Sequence, residues 1–141
     1  MDLLPDKKSS KFLQKAWDLD QEALLRAKDD KKKKLLWKES INICKRLLKD
    51  FSDNINLLTK IATIYQHQGK FYKAKYFLNK AKKFRPKNFL VDFYFGNLYR
   101  AKGNSRLALK YYNRSYKLSK SKIIKKAIED YKGFLEKVSK E

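Results

Sequence analysis

Leu58, Ile61, Ala62 and Tyr65 recur at i, i+3, i+4 and i+7, one face of an α-helix, and predict a helix over 55–67. Gln68-Gly69 interrupts the pattern, and a glycine just past a helix can take the left-handed conformation that lets the chain reverse. A second face follows in Phe71, Ala74, Leu78 and Ala81. It predicts a helix over 71–84, which Pro86 cannot continue because proline has no N–H to donate. Ser52-Asp53-Asn54 supplies the cap of the first helix. The two helices run antiparallel, with Ala62 and Ala74 where they cross; small side chains there let the axes approach toward the lower end of the usual ~8–10 Å range.

The spacing then returns. Ile55 to Asn88 is 34 residues long, and in the following 34 Tyr65 recurs as Tyr99, Gly69 as Gly103, Ala74 as Ala108, Asn79 as Asn113 and Lys83 as Lys117. Helices are predicted over 88–101 and 105–118, with Gly96 and Ala108 at their crossing. A fixed period of this length marks one helix–turn–helix unit stacked on another.

The flanks follow the pattern less closely. Residues 1–8 read as a frayed tail, and Ser9 or Ser10 as the cap of a helix carrying Leu13, Trp17, Leu24 and Ala27 on one side. Asp29-Asp30 and Lys31 to Lys34 break the apolar pattern as a solvated turn, and a helix with Trp37, Ile41, Cys44, Leu47 and Leu48 then runs to about Asp50. Stepping back 34 positions from Gly69 lands on Leu35, so 9–51 reads as a degenerate first repeat with a lengthened turn. After Ser119 to Ser121, Ile124, Ala127, Ile128, Tyr131, Leu135 and Val138 form the stripe of a seventh helix over 122–139.

These residues resemble the tetratricopeptide repeat (TPR) family. Leu58, Ile61, Ala62, Tyr65, Ala74, Leu78, Ala81 and Pro86 fill its signature positions in 55–88. In 89–121 Phe95, Gly96, Tyr99, Ala108 and Tyr112 fit, while Asp92 stands at a large apolar position, Ser115 replaces alanine and Lys120 replaces proline. The resemblance implies an all-α fold: a TPR-type α-solenoid of about three helix–turn–helix repeats plus a C-terminal capping helix, forming a single domain over 9–141.

Charge changes the picture more than composition does. Lysine and arginine number 36 against 15 acids, a net charge of +21. Residues 54–128 carry 19 basic side chains and one acid, Asp92. Such a field attracts polyanions. An AT-rich genome also inflates lysine, but it would raise the acids that pair with lysine at i, i+4 on solvated helices, and those are nearly absent. Both explanations, a partner and compositional drift, stay open.

No run approaches the ~18 apolar residues of a membrane span, and the N-terminus has no secretory core, so a cytoplasmic location is expected. The single Cys44 sits on an apolar helical face and reads as a buried core thiol. The one histidine, His67, offers no metal pair and reads as an ordinary surface residue. The four glycines stand at turn and packing positions rather than in a phosphate-cradling loop. The chain is therefore read as a non-enzyme with no cofactor and no metal site.

The TPR resemblance implies a groove lined by the first helices of successive repeats. Its ligand-facing positions fall here on Asn56, Thr59, Lys60, Thr63, Gln66 and His67, then on Leu90, Phe93, Tyr94, Asn97, Arg100 and Ala101. One wall is polar and the other aromatic. Phe93 and Tyr94 could grip an apolar side chain of a peptide; the alternative is that Phe93 simply fills the space a neighbouring helix leaves. Leu90 and Tyr94 stand where a chaperone-type carboxylate clamp wants basic groups, which argues against that role.

The second helices present a basic face of Lys73, Lys75, Lys80, Lys82 and Lys83, then Arg106, Lys110, Arg114 and Lys117. Tyr72, Tyr76, Tyr111 and Tyr116 are interleaved with it; packing between repeats is the favoured reading and stacking on bases the other. Lysine lacks the fork that makes arginine selective for phosphate, so nucleic-acid binding here would be backbone-driven and sequence-tolerant. The sequence thus supports an adaptor that binds a protein or peptide, with an acidic partner expected, and alternatively an RNA- or ribosome-associated protein. An anionic membrane surface is a weaker third reading. The oligomeric state is not legible.

Overall fold

The computed structural model describes residues 4–140. The described residues form seven α-helices and no strand. They divide into two compact units. Met1–Phe84 holds α1 (Lys7–Leu25), α2 (Asp30–Asp50), α3 (Ile55–His67) and α4 (Phe71–Phe84). Arg85–Glu141 holds α5 (Phe89–Ala101), α6 (Ser105–Ser119) and α7 (Lys122–Ser139).

In the first unit α1 packs on α2, α3 on α4, and α3 lies against both α1 and α2. Asn54 caps α3 by accepting from the Leu57 N–H. At the other end Gly69 takes φ +76°, the Gly69 N–H donates to Gln66 O and the Lys70 N–H donates to Tyr65 O, closing the helix with a Schellman turn. Ala62 and Ala74 are both buried in the hairpin.

The second unit repeats this chemistry 34 positions on. Asn104 caps α6, Gly103 takes φ +79°, and its N–H donates to Arg100 O while the Asn104 N–H donates to Tyr99 O. Tyr99 stacks on Tyr111 at 5.5 Å and 12°, as Tyr65 stacks on Phe77 at 5.8 Å and 14°. The equivalent tyrosines therefore have equivalent surroundings. At Gly96 the approach is tightest, since a Cβ built there would lie 2.4 Å from the Tyr112 ring. α7 packs on α6 through Ile124, Ile128 and Tyr131, whereas Val138 is exposed.

The N-terminal hairpin departs from expectation at its cap, its supposed tail, its lysine run and its buried stripe. Asp6, not Ser9 or Ser10, caps α1 by accepting from the Ser9 N–H at 2.7 Å, so Lys7 and Lys8 are helical. Ser10 instead exchanges hydrogen bonds with the Leu4 backbone, and Leu4 is buried; within the supposed tail over 1–8, only residues 1–3 lie outside the described residues. The lysine run is also helical: Asp29 caps α2 through the Lys32 N–H, and Lys31 to Lys34 form its first turns.

The register fails because the helices, at 19 and 21 residues, are longer than the 13 and 14 of α3 and α4. The turn between α1 and α2 runs over 26–29, longer than the 68–70 turn between α3 and α4. Finally, the buried stripe of α1 is Leu13, Ala16, Asp20 and Ala23, while Leu24 is exposed. A charged residue inside the stripe conceals it from an apolar count.

Candidate functional site

The α3 positions that the TPR resemblance marks as ligand-facing are largely engaged inside their own unit. Thr59 is 4% exposed, and its hydroxyl donates to Ile55 O at 2.8 Å, so it belongs to the core. The Thr63 hydroxyl donates to Thr59 O at 2.9 Å. These bonds leave the two hydroxyls committed to the helix that carries them. Asn56 is exposed and Gln66 half-buried.

Lys60 and His67 reach across to α1. The Lys60 ammonium lies 3.9 Å from the centre of the Trp17 ring, a cation–π contact. Burial pushes the Lys60 ammonium below its ordinary value, and the Asp20 carboxylate opposes that shift. His67 is not the surface residue the sequence suggests: its side chain is 19% exposed and Nδ1 sits 2.7 Å from Asp20 Oδ2. Asp20 is fully buried, accepting also from Trp37 Nε1 at 2.9 Å and from Gln21 Nε2 at 3.1 Å. Three side chains thus surround one buried carboxyl group and satisfy its oxygens, as a polar group in a core requires. The acids on α1 carry no helical-repeat signal, so nothing in the sequence picks out Asp20. The pairing of the sole histidine is invisible for the same reason.

Cys44 is nearby and buried, as expected, and its thiol is pushed up to about 12 by burial first and by the Asp20 charge second. This cluster draws together groups of α1, α2 and α3, and its thiol is buried. Its role is to tie α1 to α2 and α3.

α5 carries the aromatic positions of the second unit. Leu90 is exposed, and Phe93 and Tyr94 are half-buried with ring centres 6.1 Å apart at 76°. Phe93 also meets Tyr112 at 5.5 Å, so one side of its ring fills space against α6 while the rest remains accessible. Burial raises the Tyr94 hydroxyl above its ordinary value. Asn97 accepts from the Tyr112 hydroxyl. The Arg100 guanidinium lies 4.6 Å from the Tyr131 ring of α7, and Arg100 is exposed beside exposed Ala101.

Most of the basic side chains lie outward, offset from the core stripes. Lys73, Lys75 and Lys83 on α4 are exposed, with Lys80 and Lys82 half-buried; Arg106, Lys110, Arg114 and Lys117 on α6 are exposed. The tyrosines among them divide. Tyr111 packs between Phe95 at 4.9 Å and Tyr99 at 5.5 Å, and Tyr116 is half-buried. Tyr72 and Tyr76 stand out to solvent, 94% and 59% exposed, because their positions lie opposite the Ala74, Leu78 and Ala81 stripe; Tyr76 meets Phe77 in an edge contact at 5.2 Å.

Asp92, at the position where the repeat pattern wants a large apolar residue, is fully buried, with Oδ2 3.9 Å from Arg114 Nε. No helix among the described residues is long and apolar enough to cross a membrane.

No protein-family model and no curated protein matches the chain. Among solved structures the chain is similar to the Sgt2 TPR domain from Aspergillus fumigatus, at 17% identity and a TM-score of 0.66, covering 99% of this chain and 86% of that one. With seven helices, two Schellman-closed turns 34 positions apart and that structural likeness, the chain has the fold of a tetratricopeptide-repeat domain.

Proposed function

We propose that the chain is a non-enzymatic adaptor that binds an acidic segment of another protein and serves in scaffolding or assembly. The observation that carries this is the fate of one side chain. Asp92 is the sole acid between residues 54 and 128, and it is buried, so the part of that stretch in each unit exposes basic side chains and no acid of its own. A partner matched to it is negative. Phe93 and Tyr94, beside exposed Leu90 and Arg100, supply the apolar contact that turns attraction into a docked complex.

Replacing Phe93 and Tyr94 together by alanine tests the second element. Capture of the partner is expected to fall with helicity unchanged, and undiminished capture moves the site off α5.

A second reading has its own support. Tyr72 and Tyr76 are open to solvent on α4 among Lys73, Lys75 and Lys80, an arrangement of stacking rings and cations suited to single-stranded RNA. Binding to generic RNA would fall steeply with ionic strength. RNA affinity absent even at ~50 mM salt removes this reading.

A further inference from the structure

A cleft of about 520 Å³ opens within the first unit between α2 and the turn from α3 into α4. Lys34, Lys38 and Lys45 of α2 line one side, and Lys70 and Lys73 the other; no acidic side chain lines it. Trp37, Ile41 and Tyr65 contribute apolar surface. Gln68 also lines the cleft, and its amide nitrogen is buried with no acceptor among the described residues. Five cations without a counter-charge, an apolar floor and one unsatisfied buried donor define what fits. The occupant brings negative charge to the rim, an apolar group to the floor and an oxygen to Gln68 Nε2.

We propose that this cleft is the seat of an acidic segment of a partner protein, with carboxylates on the lysine rim, an apolar side chain on the floor and a backbone carbonyl accepting from Gln68. The inference rests on the adaptor reading above and assigns the partner's charge to a place other than the ligand-facing positions of α3.

A nucleotide fits the floor less well. A base needs an open aromatic face, whereas Tyr65 is 5% exposed, stacked on Phe77 and approached by the Lys73 ammonium at 5.4 Å. The Trp37 indole N–H is already committed to Asp20. Lysines are mobile point charges without a preferred plane, which suits carboxylates spaced along a chain.

The test uses a fluorescein-labelled peptide of glutamates around a central leucine, titrated at ~50 mM salt. One variant carries Lys34→Gln, Lys38→Gln and Lys45→Gln. A control loses the same charge from α1 and α7 through Lys11→Gln, Lys15→Gln and Lys132→Gln. All six lysines are exposed, so both variants keep the fold, which circular dichroism verifies.

The rim variant is expected to weaken binding about tenfold, and the control no more than about twofold. The Gln68 side-chain amide resonances are expected to move with the titration. Equal weakening by both variants with Gln68 unmoved overturns the cleft while leaving an acidic partner intact. If wild type ignores the peptide yet binds a uridine oligonucleotide of equal charge, both the cleft and the acidic-protein reading fall.

Discussion

Asp20 Oδ2 lies 2.7 Å from His67 Nδ1, joining the fourth turn of α1 to the last residue of α3 across 47 positions of sequence. With Trp37 Nε1 as a further donor, one carboxylate links three helices of the first unit. Replacing Asp20 by alanine strands the Trp37 and His67 donors in a buried place. The expected loss is about 2–4 kcal/mol of unfolding free energy, read from urea denaturation followed by tryptophan fluorescence. Asp20→Asn keeps an acceptor and should lose less. A loss below about 0.5 kcal/mol for the alanine variant contradicts the linking role.

Gly96 and Gly133 make a contrasting pair on helices of the second unit. A methyl at Gly96 meets the Tyr112 ring at 2.4 Å, so Gly96→Ala should destabilise by about 1–3 kcal/mol. A methyl at Gly133 meets nothing within 4 Å, so Gly133→Ala in α7 should stabilise by roughly 0.5–1 kcal/mol through helix propensity. Paired thermal melts decide it, and equal shifts of the same sign contradict the close approach at Gly96.

The turns make a third expectation. Gly69 and Gly103 both hold positive φ with open space around them, so an alanine at either is strained by backbone conformation alone. Each substitution should cost about 1–2 kcal/mol. Double substitution should be close to additive, because each turn closes its own hairpin. Differential scanning calorimetry on the two single variants and the double reads this directly.

Much of the fold is legible because its signals are local and periodic. Tyr65 and Tyr99, Gly69 and Gly103, and the alanines at the crossings recur at one spacing, and the helices α3 to α7 begin and end where the capping and turn residues place them. The first hairpin is less legible because its core stripe contains Asp20, whose three donors come from separate positions, and because its helices outrun the period. His67 likewise looks solvated when read alone. On the basic face the offset from the core stripe sends most of the lysines outward, with Lys80 and Lys82 half-buried. It says nothing about the tyrosines, whose rings can fold back or stand out; Tyr111 does the first and Tyr72 the second.

Cys44 gives a pH-dependent expectation. Its thiol is raised from 9.0 to about 12 in the folded chain, whereas the unfolded chain ionises near the lower value. The buried neutral thiol therefore contributes its full share of stability below about pH 9, and that share is lost as pH rises through the 9–12 interval. At pH 8 the native thiol should resist a disulfide reagent such as DTNB and react at once in urea. Rapid labelling of native protein contradicts its burial.

The most direct measurement of the central claim, that a cationic helical-repeat surface recruits an acidic protein, is affinity capture from native extract with and without nuclease, eluted by a salt gradient. The expected result is protein that stays bound after nuclease treatment, leaves between ~50 mM and ~500 mM salt, and is acidic in composition. Capture that disappears with nuclease and consists of RNA and its passengers contradicts the adaptor reading.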